Sequence, residues 1–244
     1  MRNVVVTGGT RGLGLGMSRQ LAAEGWRVIA VGRRNSDDLT AAAEACTRTG
    51  QGAIDFRAFD LTDSKAIPGF VRELRKDFGA ILGLVNNAGL GTSGVLGAMR
   101  DSDIQKLVHL NTVAPILLTK YMVRKMMADG AGRIVNVSSI ISSTGYSGLS
   151  VYAATKASMV GFTRSLAREV GTFGITVNAI APGFVDTEMT DGLTGKDRDR
   201  VVRRAALKRL AEVSDVANGV AFLLSDKARN ITGTVLTVDA GSTA

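Results

Sequence analysis

Seven short apolar runs rich in β-branched residues recur along the chain: "NVVVT", "RVIAVG", "AIDFRAFD", "AILGLVNN", "RIVNVSS", "ITVNAIAP" and "TVLTVD". Each is too continuous for a strand with one face in water, so the runs predict parallel strands buried on both faces. Between them lie longer segments with helical spacing, such as Met17, Leu21 and Ala22 after the first run, and Ile67, Phe70, Val71 and Leu74 after the third. Strand alternating with helix implies right-handed crossovers, hence an α/β, Rossmann-type doubly wound sheet of about seven strands with helices on both faces. Such a fold binds ligands beyond the carboxyl ends of its strands.

A chain of 244 residues can build this as one domain, and no repeat, low-complexity tract or linker marks a boundary. We therefore expect residues 1–244 to form a single nucleotide-binding domain. The segment 101–130 is long for a helix and contains Pro115, which must kink it or be accommodated by a local break. Residues 183–209 lack a strand run and interrupt the alternation, as a substrate lid would.

No apolar stretch approaches the roughly 20 residues of a membrane span, and the opening "MRNVVVTGG" runs straight into a strand pattern. Cys46 is the only cysteine, so no intrachain disulfide can form. Together these lead us to expect a cytoplasmic protein without membrane contact. The net charge of +8 is carried by scattered Lys and Arg with no nucleic-acid motif, which favours acidic small molecules or an acidic carrier over nucleic acid as partners.

"VVVTGGTRGLGLG" places Gly8, Gly9, Gly12 and Gly14 between the first run and a helix. Backbone N–H groups and the helix dipole can there meet a pyrophosphate without side chains intervening. We take Gly8, Thr10, Arg11, Gly12, Leu13 and Gly14 as the residues of this loop that hold a dinucleotide. An NAD site would normally offer Asp or Glu at the end of the second strand for the ribose hydroxyls. That position reads Gly32, Arg33, Arg34. Guanidinium groups can bond a 2′-phosphate that a carboxylate would repel, and Arg11 can approach from the loop, so NADP(H) is the expected cofactor. The blander reading is that Arg33 and Arg34 solvate a helix entrance.

Further motifs follow in order: "NNAG" from Asn86 to Gly89, Asn111, a serine thirteen residues before "YAATK", the pair Tyr152 and Lys156, and "PG" at Pro182 and Gly183. With Thr7, Gly8, Gly12 and Gly14 matching T-G-x-x-x-G-x-G, the chain resembles the short-chain dehydrogenase/reductase family over its whole length. The resemblance implies an enzyme that interconverts a carbonyl and an alcohol, with Tyr152 as proton donor. It gives Ser139 the task of orienting the substrate oxygen, with Ser138 as the fallback. Lys156 holds the nicotinamide ribose and acts on the phenol, and Asn111 keeps a water chain to the lysine. The alternative for Asn111 is a helix residue bonding an i−4 carbonyl.

A free phenol has a pKa of about 10. An ammonium roughly 4 Å away, one helical turn on, can contribute up to about 4 kcal/mol, or about three pKa units. We therefore expect Lys156 to lower the pKa of Tyr152.

The same resemblance assigns Asp60 and Leu61 to the adenine, the alternative being a helix N-cap role for nearby Asp63, and it assigns Asn87, Ala88 and Gly89 to the cofactor's neighbourhood. Pro182, Gly183, Val185 and Thr187, with Ile180, would line the nicotinamide carboxamide. His109, the sole histidine, lies in an apolar helical context and reads as an ordinary packed or surface residue, and no metal is expected. A Ser/His/Asp hydrolase is poorly supported, since no G-x-S-x-G elbow exists.

Within the family, "APGFVDTEMT", "AREVGTFGITVNAIAPG" and "SDKARNITGTVLTVDAG" resemble the 3-oxoacyl-acyl-carrier-protein reductases of fatty-acid synthesis. That implies NADPH-dependent reduction of a 3-oxoacyl thioester to the 3-hydroxyacyl thioester. Two departures stand against carrier docking: Phe173 replaces an often basic residue, and Asp129, Gly130 and Ala131 lack the expected base. Arg198, Arg200, Arg203, Arg204, Lys208 and Arg209 crowd the lid and can receive an anionic thioester arm, or simply form a solvated face. The alternatives are a reductase of another ketone or secondary alcohol, small, cyclic or sugar-like, and a non-catalytic NADP-binding regulatory module. Helical segments near 101–128 and 151–172 are apolar over wide arcs, which with the resemblance leads us to expect a homotetramer.

Overall fold

The computed structural model describes residues 1–91, 94–185 and 195–244. All seven apolar runs form strands: β1 (Arg2–Thr7), β2 (Trp26–Gly32), β3 (Ala53–Ala58), β4 (Ile81–Asn86), β5 (Gly132–Val137), β6 (Ile175–Pro182) and β7 (Val235–Val238). They make one sheet in the order β3-β2-β1-β4-β5-β6-β7, parallel at every pairing. The order reverses between β1 and β4, so the connections leaving these two paired strands go to opposite faces of the sheet and leave a crevice.

Period-two alternation divides each strand between two cores. Val4 and Val6 of β1 join a cluster with Met17 and Leu21 of α1 (Gly12–Ala23) and Val216, Val220 and Leu224 of α8 (Val213–Leu224). Val5 faces the other side, among Phe70, Val71 and Leu74 of α3 (Ile67–Phe78), Leu118, Met122 and Met126 of α5 (Ala114–Asp129), and Leu166 and Val170 of α6 (Ser150–Val170). With both faces covered, a strand needs no polar side, which accounts for the continuous apolar runs.

The segment containing Pro115 breaks as expected, by a particular device. Helix α4 (Asp101–Val108) passes into a π-helical turn, His109–Val113, before α5 begins. The Ala114 N–H reaches back five residues to the His109 carbonyl. Pro115 has no N–H to give the Asn111 carbonyl, and the widened turn relieves the clash its ring would otherwise make there. Beyond α2 (Asp37–Thr49), the remaining helix is α7 (Lys196–Arg204), within the segment expected to form a lid. No helix among the described residues is long and apolar enough to cross a membrane.

Candidate active site

At the crevice, the glycine loop is shaped by contacts that exclude side chains. Gly8 has φ +64° and donates to the Val31 carbonyl at 2.8 Å. A Cβ on Gly14 would stand 2.0 Å from the Gly8 carbonyl oxygen and 2.7 Å from Asn87 Nδ2, whereas one on Gly12 would meet nothing within 4 Å. Gly14 thus lets helix α1 approach the loop, while Gly12 leaves an open cradle at the helix N-terminus that fits a pyrophosphate. Leu13 turns partly into the first core cluster.

Asn87 ties the loop to β4, donating through Nδ2 to the carbonyls of Thr7 at 2.9 Å and Gly8 at 3.3 Å. Thr7 returns the link, its hydroxyl accepting from the N–H groups of Asn87 at 2.9 Å and Ala88 at 3.0 Å. Sequence reasoning gave Thr7 only its place in the motif; a polar residue closing an otherwise apolar run was the signal available.

The corner where a 2′-phosphate is expected is closed by Gly32. A Cβ there would stand 2.9 Å from Thr10 Cγ2, and the Ser36 hydroxyl donates to the Thr10 carbonyl at 2.6 Å. This joins the glycine loop to the start of α2, so Arg11, Arg33 and Arg34, all exposed, flank one corner. Next to it the Asp60 carboxylate accepts from the Thr62 N–H at 2.9 Å and hydroxyl at 2.8 Å. Those bonds, backbone first, and the nearby Arg33 hold its carboxyl below the usual carboxylate range. Leu61 is only 7% exposed within the second core, leaving little surface for an adenine. Asp63 accepts from the Ala66 N–H at 3.1 Å in the turn ahead of α3, and the helix itself begins at an Ala66 cap that no side chain closes, so Asp63 is not its N-cap.

Four side chains converge on the ends of β4 and β5. Asn111, buried in the π-helical turn, accepts from the Leu90 N–H at 2.8 Å and donates to the Leu90 carbonyl at 2.9 Å and the Thr155 hydroxyl at 3.2 Å. Its side chain therefore bonds across to another loop and not to an i−4 carbonyl of its own helix. Gly89 lies beside it: a Cβ there would be 3.2 Å from Asn111 Oδ1 and 3.7 Å from Lys156 Nζ. Lys156 Nζ donates to the Val137 carbonyl at 2.9 Å, and burial pulls its pKa down to about 8.

The two adjacent serines separate cleanly. Ser138 donates to the Lys156 carbonyl at 2.9 Å, bracing α6 against β5. Ser139 caps the 3-10 turn Ile140–Ser142, accepting from the Ile141 N–H, and its hydroxyl hydrogen-bonds the Tyr152 phenol. Burial pushes that phenol above the ordinary tyrosine value, with the Ser139 bond pulling the other way. The expected lowering by Lys156 is thus overturned in this environment. The ammonium lies 5.7 Å from the ring centroid and is spent on the Val137 carbonyl, while desolvation of the phenolate dominates.

Pro182 ends β6, and Gly183 donates to the Val238 carbonyl at 2.9 Å. A Cβ on Gly183 would stand 2.7 Å from Asp239 Cβ, so the backbone here packs directly against the segment that follows β7. Val185 is buried and bridges to Ala211. Thr187 lies outside the described residues, as does the rest of 186–194. Among the described residues no cluster of His, Cys, Asp and Glu could hold a metal.

A doubly wound sheet with a glycine cradle at its switch point and a serine, tyrosine, lysine and asparagine grouped beside it defines a nucleotide-binding oxidoreductase fold with an acid/base site. Residues 8–243 match the family model described as Enoyl-(Acyl carrier protein) reductase, and the chain belongs to this family of short-chain dehydrogenases/reductases. It is 40% identical over 238 residues to a 3-oxoacyl-(acyl-carrier-protein) reductase FabG of Haemophilus influenzae, covering 97% of this chain and 96% of that protein. A FabG of Staphylococcus aureus is 33% identical over 240 residues, covering 98% and 97%. Among solved structures, levodione reductase superposes with a TM-score of 0.92 at 32% identity, covering 100% of this chain and 98% of that one. A gluconate 5-dehydrogenase from Burkholderia cenocepacia, in complex with NADP and tartrate, superposes at 0.93 with 29% identity, covering 99% and 95%.

Proposed function

We propose that this chain, as a single domain, reduces a 3-oxoacyl thioester to the 3-hydroxyacyl thioester with NADPH. The observation that carries the reading is the convergence of Tyr152, Ser139, Lys156 and Asn111 beside the glycine cradle. The relatives named as 3-oxoacyl reductases over nearly the whole chain supply the substrate class.

The cofactor would be held by Gly8, Thr10, Arg11, Gly12, Leu13 and Gly14 at the pyrophosphate, Arg33 and Arg34 at the 2′-phosphate, and Asp60 at the adenine, with Leu61 beside it offering the ring only the small part of its surface left outside the core. Asn87, Ala88, Gly89, Lys156, Pro182, Gly183, Val185 and Thr187 would surround the nicotinamide end. NADP(H), when bound, supplies or accepts the hydride. As negative charge develops on the substrate oxygen, the Tyr152 hydroxyl donates its proton there and Ser139 holds the oxygen in place. A phenol kept above its ordinary pKa stays protonated at neutral pH, which suits reduction. Lys156 fixes the site's edge through Val137, and Asn111 orders the loop at Leu90.

A second reading, reduction of a free or cyclic ketone, is favoured by the region where a carrier-docking base was expected. Asp129 there pairs with Arg75 through both its oxygens, and Phe173 is 39% exposed. The basic residues of α7 and its C-terminal side, Arg203, Arg204 and Lys208, favour the anionic thioester. The intact acid/base group argues against a non-catalytic regulatory module. A homotetramer in a reducing, cytoplasmic setting completes the proposal. It accords with exposed Val108 and Val113 on the α4–α5 segment and with a single free cysteine, and light scattering tests the assembly.

The deciding experiment follows absorbance at 340 nm with NADPH or NADH and either acetoacetyl-CoA or crotonyl-CoA. Consumption of NADPH with the 3-oxoacyl substrate alone supports the proposal. Consumption with crotonyl-CoA alone moves the activity to carbon–carbon double bonds, and NADPH binding without turnover moves it to other ketones or to a sensor.

A further inference from the structure

The π-helical turn does more than absorb Pro115. Two of its side chains, His109 and Asn111, reach two different loops. Asn111 holds Leu90 at the reacting end, whereas His109 Nε2 lies 3.1 Å from the Thr62 carbonyl and 3.3 Å from the Ser64 hydroxyl. A carbonyl can only accept, so in this contact Nε2 is the donor. Thr62 in turn holds Asp60, through its N–H at 2.9 Å and its hydroxyl at 2.8 Å. His109 therefore grips the residue that, among the described residues, hydrogen-bonds the Asp60 carboxylate.

We infer that His109 is a positioning residue for the adenine end of the cofactor site, acting through Thr62 on Asp60. The inference rests on the reading of Asp60 as an adenine-binding residue. The ring borders an open depression lined by Thr62, Ser102, Gln105, Lys106 and His109, so replacing it leaves no sealed void. What a substitution removes is the donor to Thr62. A hydrogen bond in a half-exposed position contributes about 1 kcal/mol, equivalent to about a five-fold change in affinity.

The test measures dissociation constants for NADPH and for 2′,5′-ADP, which carries only the adenine half, by calorimetry on the whole protein. The variants are His109→Leu, His109→Gln, Asp60→Ala and the Asp60→Ala/His109→Leu double, with kcat at saturating NADPH alongside. His109→Leu is expected to weaken both ligands about five-fold with kcat within two-fold. His109→Gln, whose Nε2 can still donate to the carbonyl, is expected to restore wild-type affinity, and His109→Leu should add nothing in the Asp60→Ala background. Unchanged affinity in His109→Leu, weakening of NADPH but not of 2′,5′-ADP, failure of the Gln variant to rescue, or an undiminished effect without Asp60 would each overturn the inference while leaving NADPH use intact. A parallel loss of kcat would mark a general disruption and overturn it too. Wild-type protein that binds neither ligand would remove the cofactor reading itself, and the inference with it.

Discussion

Lys156 directs its ammonium at the Val137 carbonyl, 2.9 Å away, while that same nitrogen lies 5.7 Å from the centroid of the Tyr152 ring. The lysine is therefore anchored to the sheet first and acts on the phenol only at a distance. Burial shapes both groups: it raises the phenol and lowers the ammonium.

Replacing Tyr152 by Phe removes the proton donor and little else, because the hydroxyl's partner is the small Ser139 side chain. Turnover is expected to fall by roughly 10²- to 10⁴-fold with NADPH affinity nearly unchanged. Single-turnover kinetics and a binding titration check this, and a variant that kept its rate would refute the proton-donor role.

Lys156 makes a prediction about stability against pH in the cofactor-free protein. Its pKa falls from 10.5 to about 8 on folding, so between those values the unfolded chain binds more protons than the native one. Stability from this group therefore rises as pH increases through that window. Below pH 8 the burial penalty, on the order of 3 kcal/mol, is fully present. The stability of the wild type relative to Lys156→Met is expected to increase by about that much between pH 7 and pH 10.5. Urea titrations at both pH values measure it; an unchanged difference would show that Lys156 does not titrate in this window.

Gly14 and Gly12 are two residues apart and should behave differently. At Gly14 an added methyl would collide with the Gly8 carbonyl at 2.0 Å, so Gly14→Ala is expected to lower stability by several kcal/mol and abolish NADPH binding. At Gly12 the space is open and only the φ of +50° resists, so Gly12→Ala is expected to cost about 1 kcal/mol. Thermal melts with and without NADPH separate the two.

Arg33 and Arg34 stand where an acid would read a ribose hydroxyl. Charge reversal at both is expected to raise the KM for NADPH by roughly 10- to 100-fold while leaving NADH nearly unchanged, since each charge-assisted bond contributes about 1.5–3 kcal/mol before solvent screening. Equal effects on the two cofactors would assign the pair to the entrance of α2 instead.

Sheet, glycine cradle and motif residues were legible in the sequence for local reasons. A strand buried on both faces must be apolar throughout, and a loop pressed against a helix must be glycine, so composition at those positions reports the environment directly. The motif spacing likewise placed Tyr152 and Lys156 one turn apart on α6. Other properties belong to residues distant in the chain. Ser138 and Ser139 are chemically identical, and only the packing of α6 on β5 sends one hydroxyl to the Lys156 carbonyl and the other to the phenol. Pro115 announced a break but not a π-turn that hands Asn111 to Leu90 and His109 to Thr62. The rise of the Tyr152 pKa was hidden for the same reason. A pairwise charge effect can be read from spacing, but desolvation depends on everything that covers a group, and that is decided only when the chain is packed.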